Sequence, residues 1–125
     1  MINHLIIDFA SIEQEKPAQK AKALLIEHMV KHPDTVITIM GADNSLTLNY
    51  IKETLRKHQF PFDTVIISPL KIQPISFKTM FAVRLQEEAD ARVVLVIDQD
   101  IESREMWKNG GAKYTFSPEA EIRNQ

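Results

Sequence analysis

A chain of 125 residues, 44% hydrophobic and 26% charged, has the size and composition of one ordinary globular domain with a single core, which excludes disorder and a membrane protein as its class. A formal charge of −2 argues against the basic excess of a nucleic-acid binder, and the absence of cysteine excludes disulfides, thiolate metal sites and a cysteine nucleophile. With no basic leader and no apolar run near the roughly 20 residues of a membrane span, the expectation is one cytoplasmic domain over residues 1–125, with a loose tail over 118–125.

Short β-branched runs alternate with longer amphipathic segments along the chain. Residues 4–8 (HLIID) read as a first strand ending at Asp8. A helix over 16–31 follows, with Ala18, Ala21, Leu25 and Met29 on its apolar face and Pro17 tolerated in the first turn. The run TVITIM (35–40) is a strand covered on both faces, followed directly by Gly41. A helix over 45–58 carries Leu48, Ile51 and Leu55, with Arg56, Lys57 and His58 in its last turn, where the helix dipole favours cations. Residues 60–67 give a turn and a third strand, and a loop lies between Pro69 and Pro74. A helix over 76–88 carries Phe77, Phe81 and Leu85. The most strand-like run, RVVLVI (92–97), closes on Asp98. A short helix over 101–108 stops at Asn109-Gly110-Gly111, and residues 113–116 form a last short strand.

This β-α repeat predicts a three-layer α/β/α, Rossmann-like fold with a mainly parallel five-stranded sheet and right-handed crossovers. Ligands of such sheets bind beyond the carboxyl ends of the strands, where Asp8, Gly41, Ser68 and Asp98 stand. Either acid alone is more simply a turn former. Together, if their strands are neighbours, they converge within reach of one divalent cation, and hard oxygen donors suit Mg²⁺. Other candidates have simpler readings. His28 and His32 read as surface or helix-end histidines, Trp107 as packed against the sheet, and Met29, Met40, Met80 and Met106 as core filler. Ser11, Ser45 and Ser68 read as caps and turns, and Lys16, Lys20, Lys22, Arg56 and Lys57 as solvated helix faces. Lys78 stands open between a solvated helix-start lysine and a phosphate ligand.

The stretch VLVIDQDIESREMWKNGGA (94–112) joins an apolar strand, two acids and a helix carrying Met106, Trp107 and Lys108 before Gly111. The stretch ITIMGADNSLTLNYIKETLRKHQFPFDTVII (37–67) joins a strand, a glycine turn, a helix, and a Phe-Asp pair leading into the next strand. In both, the chain resembles the haloacid dehalogenase superfamily, and within it the compact phosphatases similar to the 3′-phosphatase domain of polynucleotide kinases. The resemblance implies strand order 5-4-1-2-3 without a cap domain. It also implies an aspartyl nucleophile at Asp8, Mg²⁺ held by Asp8, the Ala10 carbonyl and Asp98, and phosphate held by Gly41 and Lys78. Small phosphorylated ligands, and polynucleotide ends despite the acidic charge, are the partners it brings.

The catalytic motifs depart from the family pattern in four places. Ala10 replaces the general acid, Met40 the hydroxyl residue, Gln99 the second acid of the final pair, and Asp100 stands where the related group carries Arg. A general acid contributes on the order of 10²- to 10⁴-fold and one electrostatic donor about 10²- to 10³-fold, so the expected function is that of a degenerate phosphatase homologue with a binding or regulatory role and weak Mg²⁺ or phosphate binding. The phosphonate-cleaving branch of the superfamily also has Ala at the position of Ala10, but relies on a cap lysine that 125 residues leave no room for. The alternative is a working Mg²⁺-dependent phosphomonoesterase in which water or Ser11 partly covers for the missing acid. A response-regulator receiver is disfavoured, because its central strand should end in the phosphoacceptor Asp and the third strand here ends at Ser68.

Overall fold

The computed structural model describes residues 1–69 and 71–119. Helices and strands alternate as β1 (Ile2–Asp8), α1 (Glu15–Lys31), β2 (Thr35–Gly41), α2 (Leu48–Lys57), β3 (Thr64–Ile67), α3 (Pro74–Gln86), β4 (Ala91–Ile97), α4 (Ile101–Asn109) and β5 (Tyr114–Phe116). A 3-10 turn, Phe9–Ile12, follows β1. Every strand pairing is parallel, and the sheet order is β3-β2-β1-β4-β5, which reads 5-4-1-2-3 from the β5 edge. None of the helices among the described residues is long and apolar enough to cross a membrane. Much of the expected tail lies outside the described residues, which end at Glu119.

The central strands are apolar on both faces because both faces are covered. Leu5, Ile7, Ile39 and Ile97 pack with Ala18, Ala21 and Leu25 of α1 and Ile51 and Leu55 of α2. On the other face Ile6, Met40 and Val96 pack with Ala82 and Leu85 of α3 and Trp107 of α4. Full burial of one such Leu or Ile contributes about 1.5–3 kcal/mol, so these two clusters hold the three layers together.

One irregularity decides where the site forms. His4 pairs with Val93 and Leu5 with Leu95, leaving Val94 as the extra residue of a bulge in β4. Val93 packs on the α3/α4 side, whereas Val94 and Leu95 both belong to the α1/α2 cluster. Alternation then resumes, with Val96 toward α3/α4 and Ile97 toward α1/α2, so the following residue, Asp98, falls on the α3/α4 face. Strict alternation from Val93 would have put Asp98 on the opposite face. Beside the bulge, His4 is buried with both ring nitrogens unpartnered, and burial lowers its pKa.

Several local expectations are corrected. The buried stripe of α1 is Ala18, Ala21, Leu25 and His28, and Met29 is partly exposed; of the two readings of His28, surface or helix-end, the second holds, since it lies buried in the last turn of α1. Met80 and Leu48 also face outward rather than into the core. Helix α2 starts three residues later than expected because Asp43 folds back to accept from the Ser45 amide and hydroxyl, leaving Thr47 as the N-cap that accepts from the Tyr50 amide. Helix α3 starts two residues earlier, with Pro74 in its first turn. The Asn109-Gly110-Gly111 stop is a Schellman motif: Ala112 N–H donates to Trp107 O and Gly111 N–H to Lys108 O, with Gly111 at φ 104°. Trp107, 2% exposed, packs against the sheet as expected.

Candidate functional site

The carboxyl ends of β1 and β4 are adjacent, and each delivers a buried aspartate toward α3. Lys78, in the second turn of α3, places its ammonium 2.7 Å from Asp98 Oδ2 and 3.2 Å from Asp8 Oδ1. Its third near contact is Ser103 Oγ in α4, at 3.3 Å. An ammonium has three N–H groups, and these three acceptors occupy them all. Position 78 is therefore not a solvated helix-start lysine, because the side chain is almost wholly buried.

Two further links make the arrangement rigid. Ser11, in the turn after β1, donates to Asp8 Oδ2 at 2.8 Å and accepts from the Gln99 amide at 2.8 Å, tying the β1 end to the β4–α4 connection. Asp98 Oδ1 accepts from the Asp100 amide, and Asp98 O accepts from Arg104 Nη1. Asp100 caps α4 by accepting from the Ser103 amide and hydroxyl, which positions Ser103 under Lys78.

The electrostatics follow from burial. Desolvation is the largest influence on Asp98; together with the Asp8 charge and against the pull of Lys78, it pushes the carboxyl up to about 6 from the ordinary 3.8. Between about pH 4 and 6 the native chain thus keeps a proton that the unfolded chain has released, and this contribution lowers stability as pH rises through that window. Burial works against the Lys78 charge, but Asp8 and Asp98 outweigh it and raise its pKa. Hydrogen bonds from the Ser103 side chain and amide hold Asp100 below its ordinary value.

Above this floor lies a cavity of about 410 Å³, lined by Asp8, Ala10, Asp43, Lys78, Gln99 and Asp100 with apolar walls at Ala42, Leu46, Pro74 and Ile75. Counting buried Asp98, four carboxylates surround a single ammonium. A free anion is therefore repelled unless it brings a cation.

Of the residues expected at the site, Asp8, Asp98 and Lys78 come together, and Ala10 lines the cavity. Gly41 does not line it: a Cβ there would meet Ile51 Cδ1 at 2.6 Å, so the missing side chain makes room for α2. Met40 is packed in the apolar cluster under α3 and α4. Among the described residues no group of three or more His, Cys, Asp or Glu side chains is placed to hold a metal ion. Sequence reasoning gave Ser11 only as a turn residue or a partial stand-in for the missing acid, not as the link it makes to the β4–α4 connection, and it missed Ser103. Ser11 has a partner 88 residues away that is a backbone amide, which leaves no residue-type signal. Ser103 was legible as the third residue after the N-cap acid Asp100.

The chain matches no protein-family profile, no curated protein and no solved structure. The class defined by the fold is that of α/β proteins with a five-stranded, all-parallel, Rossmann-like sheet.

Proposed function

We propose that the chain is a degenerate, catalytically impaired phosphatase homologue of the haloacid dehalogenase-like kind, retaining a binding or regulatory pocket at the carboxyl edge of its sheet. The observation that carries this reading is the buried Lys78 ammonium bridging Asp8 and Asp98 beneath an open cavity, with a bare methyl at Ala10 where a general acid would stand. A nucleophilic carboxylate, a lysine and a second acid on adjacent strands are the skeleton of covalent phosphoryl transfer. The resemblance in residues 37–67 and 94–112 supports the same reading.

The donor set fits Mg²⁺ only weakly. Asp8, Asp98 and the Ala10 carbonyl would hold it, but each carboxylate already accepts from Lys78, and residue 99 offers an amide instead of a carboxylate. Bound there, the ion would neutralise phosphoryl charge. Lys78 in turn has to release Ser103, its longest contact, before it holds a phosphoryl oxygen. The pocket accordingly takes a small phosphorylated ligand weakly and together with its counter-cation. A cytoplasmic setting suits the cysteine-free chain.

Hydrolysis of p-nitrophenyl phosphate with Mg²⁺ tests the proposal. Equal, negligible rates for the native protein and Asp8→Asn are expected. Turnover in the native protein that disappears in Asp8→Asn would establish the alternative, a working phosphomonoesterase that proceeds through an aspartyl-phosphate.

A further inference from the structure

On the α1/α2 side of the sheet, an open groove of about 310 Å³ lies between α2 and the start of α1. Tyr50, Glu53, Thr54 and Lys57 come to it from α2, where their three- and four-residue spacing puts them on one face of the helix. Glu13 and Gln14 come from the residues just before α1. His58, the C-cap of α2, completes the lining and is only 7% exposed. Its backbone is fixed from α1, since Lys22 Nζ and Gln19 Nε2 both donate to His58 O.

Most hydrogens of this lining are already donated. Tyr50 Oη donates to Glu13 Oε2, and that bond raises the Tyr50 pKa, so the phenol keeps its proton. Thr54 Oγ1 donates to Tyr50 O at 2.8 Å. The His58 ring meets Glu13 O through Nε2 at 2.8 Å, and because a carbonyl only accepts, Nε2 carries the hydrogen. Nδ1 of the neutral ring is then a bare acceptor, and it has no partner among the described residues. Glu53 is exposed and belongs to none of the ion pairs among the described residues. The donors that remain are Gln14 and Lys57, both exposed.

Unfilled acceptors with an excess of carboxylates over lysine call for a guest that is a cation and only donates. Among the described residues Glu13, Glu53 and His58 are not grouped to hold a metal ion, so the guest brings its own N–H groups. A guanidinium presents a planar fork suited to one carboxylate, whereas an ammonium spreads three N–H groups toward separate acceptors. We propose that this groove binds the ammonium of a small primary amine, which donates to His58 Nδ1, Glu53 and Glu13 and lays its carbon chain on the exposed ring of Tyr50. None of these residues lines the acid pocket, and the amine site does not rest on the reading of that pocket.

Nitrogen NMR of the histidine rings reads the site at the atom concerned. n-Butylamine titrated into the full chain at pH 7.5 and low salt is expected to move the His58 Nδ1 resonance upfield, as for a nitrogen that gains a hydrogen bond, and to saturate. n-Butanol, with the same chain and no charge, should bind at least about tenfold more weakly, because it lacks the charge-assisted bonds. Glu53→Gln, an exposed substitution that leaves the fold intact, should weaken the amine about threefold or more. Zn²⁺ in place of the amine should leave His58 Nδ1 unmoved at equal concentration. A His58 Nδ1 that does not respond, a response that does not saturate, equal affinity for n-butanol, an undiminished response in Glu53→Gln, or tighter binding of Zn²⁺ at the same nitrogen would each overturn the proposal.

Discussion

Replacement of Lys78 by methionine is expected to destabilise the fold by about 3–5 kcal/mol near pH 8, which in a domain of this size lowers Tm by about 10–20 °C. Methionine keeps most of the volume of the lysine stem, so the loss is one of charge and not of packing. It leaves Asp8 and Asp98, 7% and 1% exposed, as two adjacent buried carboxylates without a cation. Removing one partner of a buried ion pair is costly because the other charge stays desolvated. Here two charges are stranded, and they repel each other.

The deficit also has a defined pH dependence. Asp98 already titrates at about 6, above its unfolded value, so protonation relieves the strain and alkaline conditions aggravate it. Urea unfolding of Lys78→Met and the native protein at pH 8 and pH 5 should show the difference between them narrowing on acidification. An equal difference at both pH values would mean that Lys78 stabilises through its stem and not through its charge.

Ala10→Asp is expected to raise hydrolysis of p-nitrophenyl phosphate in the presence of Mg²⁺ by about 10²-fold or more, the usual contribution of a positioned general acid. Position 10 is exposed and lines the cavity, so the carboxyl is accepted without burial. The second position at which the proposed kinship expects a polar group, Met40, is different. Met40 is 1% exposed in an apolar cluster, so Met40→Thr opens a void and buries a hydroxyl, at a cost of about 2–4 kcal/mol. The single substitution is therefore the informative one, and the double variant should be active only at lowered temperature. No gain from Ala10→Asp would count against the phosphatase kinship proposed for the pocket.

The element order was legible because both of its signals are strong: continuous β-branched runs for buried strands, and three-to-four spacing for helices. The strand ends were legible too, since Asp8 and Asp98 each close such a run. The bulge was not. Nothing in RVVLVI distinguishes Val94 from its neighbours, yet the extra residue there turns Asp98 toward Lys78. The burial of His28 was hidden because periodicity gives Met29 nearly equal claim to the inner stripe and hydrophobicity favours it; the packing of α1 against Tyr114 of β5 decides otherwise. Gly41 resembled a phosphate turn by its position after the run TVITIM, but it closes β2 and its missing side chain makes room for Ile51 of α2, a contact that sequence spacing does not show. The state of Lys78 was undecidable from spacing alone, because it depends on three acceptors from three different elements.

The most direct test of the shared-ammonium site is a carboxyl-carbon NMR titration of Asp98 in the native protein, Asp8→Asn and Lys78→Met. The expected native midpoint is about 6, moving down when the neighbouring negative charge is removed and up when the ammonium is removed. An Asp98 that titrates near the ordinary aspartate value, unmoved by either substitution, would contradict the site.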